Sequence, residues 1–114
     1  VIVNLQGDDL GIHKDENYAV VEWRDLDGHR VVFSATRLGD AIFCHFAPAK
    51  DSLKVAKIAC LDFIDWVFSA CEWCKMLLSA VDKPSIMRFV GDLEFVDIAE
   101  YSDGKHLFMR MRHG

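Results

Sequence analysis

Four cysteines and five histidines are the side chains of this sequence best suited to bond-making chemistry, and their spacing limits what they can do. Cys71-Glu72-Trp73-Cys74 has the C-x-x-C spacing of a redox dithiol or half a zinc site. A reactive thiolate is favoured at a helix N-terminus, whereas this pair falls at the C-terminal end of a long apolar stretch, where the helix dipole opposes it. Zinc would need two more ligands, and the sequence holds no second C-x-x-C and no H-x-x-x-H. The pair therefore reads as core packing, with no metal. Cys44-His45 has the residue types of a nucleophile and its base, but adjacent strand residues point to opposite faces and cannot act on each other. His45 is expected to pack or to sit at the surface. His13, His29, His106 and His113 fall in loops or near strand ends, with no carboxylate placed by sequence to orient them, and read as surface groups. Trp23, Trp66 and Trp73 read as core, since aromatics bury the most area per residue.

Arg88, Lys105, Arg110 and Arg112 form a basic set in the C-terminal third of an otherwise acidic chain. Alternating charges are usual on an exposed strand, so a solvated face is one reading. A contact surface for an acidic protein partner, or for self-association, is the other. The formal net charge of −5 argues against general nucleic-acid binding. With 114 residues the chain reads as one domain, 1–114. The opening Val1-Ile2-Val3-Asn4 has neither a basic leader nor a long apolar run, so no signal peptide is expected. The cysteines then read as reduced thiols in a cytoplasmic protein.

The elements that must position these groups follow from periodicity. Ser52 to Cys74 is a long run without Gly or Pro, and Lys54, Lys57, Asp65, Ser69 and Glu72 share one helical stripe. Apart from Asp62 the rest of the run from Leu53 is apolar, which predicts a central helix over about 52–74, covered on most sides. Four charges spaced through it from Lys57 to Glu72 argue against a membrane span. Residues 1–6 suggest a short strand. Tyr18–Arg24 and Arg30–Thr36 flank a turn at Asp25-Leu26-Asp27-Gly28, and Arg37-Leu38-Gly39-Asp40 leads into Ala41–Phe46, so residues 18–46 predict an antiparallel meander. Lys75–Val81 reads as a buried strand, Pro84 opens a short helix to Asp92, and Glu94–Tyr101 and Lys105–Arg112 form a hairpin about Ser102-Asp103-Gly104. The fold class is α+β, with a mixed, mostly antiparallel sheet.

This order, meander, long helix, strand, short helix, closing hairpin, resembles a truncated GCN5-related N-acetyltransferase (GNAT) fold. The run Pro84-Ser85-Ile86-Met87-Arg88-Phe89-Val90-Gly91-Asp92-Leu93-Glu94-Phe95 looks like that family's last helix and the start of its next strand. It also resembles the small acetyltransferase-like internal virion proteins of short-tailed bacteriophages. The resemblance implies acetyl-CoA as cofactor and a loop of backbone amides for its pyrophosphate, placed between the third meander strand and the long helix. That loop is here Ala47-Pro48-Ala49-Lys50-Asp51-Ser52. It has no Gly, Pro48 lacks an N–H, and Asp51 brings a carboxylate to where phosphate would sit. Val90 stands where the family has a tyrosine general acid, and residues 1–17 leave no room for two helices that cover the family's acceptor site.

Two functions follow. The first is a non-catalytic, phage-encoded protein that keeps the fold, uses no cofactor and acts by protein–protein interaction, as a virion component or a modulator of a host protein, in the host cytoplasm or the virion. The alternative is an acetyl-CoA-dependent N-acetyltransferase with a degenerate cofactor loop.

Overall fold

The computed structural model describes residues 1–113. The strands are β1 (Ile2–Asn4), β2 (Ala19–Arg24), β3 (Arg30–Leu38), β4 (Ala41–Pro48), β5 (Met76–Val81), β6 (Val96–Glu100) and β7 (His106–Met111). The helices are α1 (Ala56–Ala70), entered through a 3₁₀ turn at Leu53–Val55, and α2 (Pro84–Asp92). All seven strands form one sheet in the order β1-β2-β3-β4-β5-β7-β6, antiparallel throughout except for β4 with β5. The mixed α+β architecture and the meander are as the sequence predicts. Gly28 and Gly39 both take positive φ, 87° and 65°, in the two meander turns, a conformation that costs glycine little because it has no Cβ.

The core lies between α1 and one face of the sheet. Ala59, Cys60, Phe63, Ile64 and Val67 recur at helical spacing and are buried against Val21, Trp23, Val31 and Phe33. Phe33 stacks on Phe63 with ring centroids 4.2 Å apart and planes within 3°. Trp23 Nε1 donates to Asp62 at 2.7 Å, pinning β2 to the helix with a bond the indole can make while its ring stays buried.

The helix is shorter than 52–74. Its C-terminal end is set from outside, by Arg112, whose guanidinium donates to the carbonyls of Phe68 (2.9 Å), Cys71 (2.7 Å) and Cys74 (2.8 Å) and so satisfies acceptors that a helix end leaves open. The C-x-x-C thus lies just beyond the helix. Nor is α1 covered on most sides: Ile58, Leu61 and Trp66 are exposed, because only one side of the helix meets the sheet. Trp73 is also at the surface, where Arg37 stacks 3.8 Å above its ring. Of the three tryptophans only Trp23 belongs to the core.

The other face of the sheet is crossed by residues 5–18, an irregular segment. It is tied down by polar contacts: Ser34 Oγ donates to His13 O at 2.6 Å and Thr36 Oγ1 to Asn17 O at 3.1 Å. Glu22, fully buried on this face, accepts from the Gln6 amide at 2.7 Å and pairs with Arg30 (3.0 Å) and Arg24 (2.9 Å). Burial alone would raise its pKa, but the Arg30 and Gln6 hydrogen bonds outweigh that and hold it below its ordinary value.

Candidate functional site

β4 and β5 are parallel partners over three residues only, Ala41↔Met76 to Phe43↔Leu78, and then diverge. Beyond Phe43, β4 keeps its pairing with β3 as far as Pro48, so the stretch 44–48 has a strand on one side alone. Parallel strands that splay leave main-chain donors and acceptors facing a gap, which an extended ligand can fill as a strand would.

Three openings meet at this gap. On the helix side is a cavity of about 30 Å³, walled by Phe33, Cys44, Phe46, Phe63, Leu77 and Val90 among others. Outside it an open groove of about 450 Å³ runs between Phe46, Pro48, Leu53 and Ala56 on one bank and Ser85, Ile86 and Phe89 of α2 on the other. Phe46 lines both, and its ring stacks on Phe89 with centroids 5.4 Å apart. On the opposite face lies a cleft of about 350 Å³ bounded by His13, Phe43, His45, Ala80, Asp82 and Lys105.

The loop 47–52 forms one end of the groove. Two of its amides are spent internally, Ala49 N donating to Arg30 O (2.9 Å) and Ser52 N to Ala49 O (3.0 Å), while Ser52 Oγ accepts from Arg30 N (3.0 Å). Asp51 sits at φ 66°, a backbone conformation that suits glycine better than a residue with a Cβ. Lys50, Lys54 and Lys57 are exposed around it and are the cations available to a phosphate there. Val90 is buried and apolar in the cavity wall and has no proton to give.

Two of the cysteines, Cys44 and Cys60, are buried thiols in the cavity wall. Burial pushes the Cys44 thiol up to about 12, with Cys74 adding to the effect, and raises Cys60 as well. Cys74 donates to Met76 O at 3.3 Å and is fully buried, while Cys71 is half-buried at the edge of the core. Cys44 and His45 do point to opposite faces. His45 neighbours His13 (4.9 Å between ring centroids), Phe43 (5.1 Å) and Tyr18 (6.1 Å).

The remaining histidines do have carboxylate partners, contrary to the sequence reading. His29 Nδ1 lies 2.7 Å from Asp25, His106 Nδ1 2.7 Å from Asp97, and His113 Nε2 2.8 Å from Glu94. Only the first pair is local in sequence; hairpin register and chain return create the others. Asp25, Asp27 and His29 place ligand atoms within 4.8 Å of one another, but Asp25 is already held by the amides of Asp27 and His29 and by the His29 ring, so this cluster closes the β2–β3 turn.

The basic set is dispersed. Arg112 caps α1, Arg110 pairs with Glu94 at 2.9 Å, Lys105 stands at the rim of the cleft beside His45, and Arg88 is exposed on α2. No helix is long and apolar enough to cross a membrane among the described residues.

No protein-family model matches the chain, and no curated protein sequence does. Solved structures do resemble it. The spermidine N-acetyltransferase SpeG of Vibrio cholerae, as an F149A mutant, superposes with a TM-score of 0.70 at 10% identity, covering 85% of this chain and 67% of that one. The N-acetyltransferase PseH of Campylobacter jejuni gives 0.71 at 14% identity over 87% and 71%. A domain from Methanocaldococcus jannaschii gives 0.70 at 10% identity over 98% and 97%. The fold is GNAT-like.

Proposed function

We propose that this chain binds the acyl end of an acetyl-CoA-type thioester in the gap between β4 and β5 and transfers the acyl group to an amine. The carrying observation is the splay itself: a parallel pair that separates after Phe43 and Leu78 around an apolar cavity, in a fold shared with N-acetyltransferases. The residues fit the two ends of such a thioester unequally. The gap offers free strand edges and apolar walls to a pantetheine arm, whereas the loop 47–52 offers Asp51 and few free amides to a diphosphate. Lys50 and Lys54 are the groups that would hold the phosphates.

Unequal fit sets the test. Acetyl-CoA should bind saturably in calorimetry, with a Kd on the order of 100 µM or about −5.5 kcal/mol, and acetyl-pantetheine, which lacks the nucleotide, should lose less than about tenfold. No saturation by either ligand at about 1 mM would reject the proposal.

A second reading, the non-catalytic interaction protein, is favoured by the Phe46–Phe89 stack that stands between the groove and the cavity and by Val90 in the cavity wall. There the fold would serve a virion component or a modulator of a host protein through its surface, and neither thioester would bind.

A further inference from the structure

Among the described residues, His45 alone lines both the cavity on the helix side of the sheet and the cleft on the other side. Its Nε2 is buried and has no hydrogen-bond partner, an unusual state for a polar atom that costs free energy unless something uses it. Burial, with His13 and Lys105 nearby, lowers its pKa to about 4, so the ring is neutral at pH 7 and one nitrogen holds a lone pair. The two thiols in the cavity wall are pushed far above neutrality, and Val90 carries no proton. His45 is thus the imidazole of the cavity wall, with an unpaired nitrogen and a weak basicity that makes it give up readily any proton it receives.

We propose that the cleft bounded by His13, Phe43, His45, Ala80, Asp82 and Lys105 is an acceptor site for an amine that carries an anionic group, an amino acid in the simplest case, and that His45 carries the proton between acceptor and donor. This rests on the acyl-transfer reading. The free amine attacks the thioester carbonyl: its lone pair forms the C–N bond, and the C–S bond breaks with its pair left on sulfur. The surplus proton on nitrogen passes to the imidazole on the cleft side and from the imidazole to the sulfur on the cavity side, so the thiol is released and His45 is returned neutral. One residue that faces both openings does what a separate base and acid would otherwise do.

The rim decides the acceptor class. Asp82 and Lys105 are both exposed and opposite in charge, so the cleft has no net pull on a polycation. Lys105 offers an ammonium to a carboxylate or phosphate on the acceptor, while the rings of His13 and Phe43 suit an apolar body.

Phenylalanine and phenethylamine differ only in the carboxylate, and spermidine is a polycation, so these three probes test the class directly. Thiol release from acetyl-CoA should be at least about tenfold more efficient with phenylalanine than with either amine. Lys105→Ala should raise KM for phenylalanine about tenfold and so erase most of the preference for phenylalanine over phenethylamine. His45→Gln should lower kcat by about 100-fold or more while acetyl-CoA affinity by calorimetry stays the same. Equal use of spermidine, or a His45→Gln enzyme with kcat within about threefold of wild type, overturns the proposal. Should acetyl-CoA fail to bind at all, the acyl-transfer reading fails by itself, and the cleft is judged on the unaltered protein by NMR. A saturable shift of the His45 ring resonances with phenylalanine and none with spermidine supports the acceptor site; no shift with phenylalanine overturns it.

Discussion

On the helix side of the sheet, Phe33 lies flat on Phe63 in a mostly apolar cluster; on the other side, under residues 5–18, Glu22, Ser34 and half-buried His45 are covered together with apolar Ile12 and Val32. The first face is held by area removed from water, which needs little direction. The second is held by hydrogen bonds and ion pairs that each require a particular partner, since an unmatched buried polar atom is costly. Glu22 and Ser34 have their partners. His45 Nε2 does not, and it sits beside the gap between β4 and β5. The contrast teaches where to look: on a face built from satisfied polar contacts, the unsatisfied one marks the place where a ligand is wanted.

The largest expected effect belongs to the apolar face. Phe63→Ala removes a ring stacked at 4.2 Å on Phe33 and should cost about 3–5 kcal/mol by denaturant titration. A loss below about 1 kcal/mol would mean that face can collapse around the hole and is less closely packed than the stack implies.

Glu22→Gln probes the polar face. It leaves Arg30, mostly buried, beside a neutral amide and should cost about 3 kcal/mol at pH 7. Because the folded pKa of Glu22 lies below 4.5, its contribution is present above that pH and is lost as the pH falls through the folded value, so the deficit of Glu22→Gln should shrink in acid. An unchanged deficit at low pH would assign the loss to packing instead.

A third effect is a pH dependence at His45. The unfolded chain takes up a proton near pH 6.5, whereas the folded protein resists it down to about 4. This residue therefore costs the wild type stability as pH falls from 6.5 to 4, and the balance between wild type and His45→Phe should move toward the variant across that window and be constant above pH 7. A parallel pH course for the two proteins would show that His45 is better solvated than its surroundings suggest.

Much of the candidate site was not legible in residue order. The loop 47–52 and Val90 were found through a family likeness in local sequence, and both line the groove or the cavity. The cleft was not found. His13 and His45 are separated by a hairpin and a loop, and Lys105 arrives from the last turn, so no spacing rule could join them. Strand alternation puts adjacent Cys44 and His45 on opposite faces, and the same alternation that excludes a dyad puts His45 where the sheet opens, a consequence that depends on the splay.

By itself the sequence determined the meander and the closing hairpin, because turn glycines and strand alternation act within a few residues. Tertiary structure alone decided where α1 ends, since its last carbonyls wait for Arg112 from the far end of the chain. It also decided which tryptophans are covered and which histidines meet carboxylates. The reason is common to all of these: a hydrogen bond or a shielding surface contributed by a remote segment leaves no periodic trace in the residues that receive it.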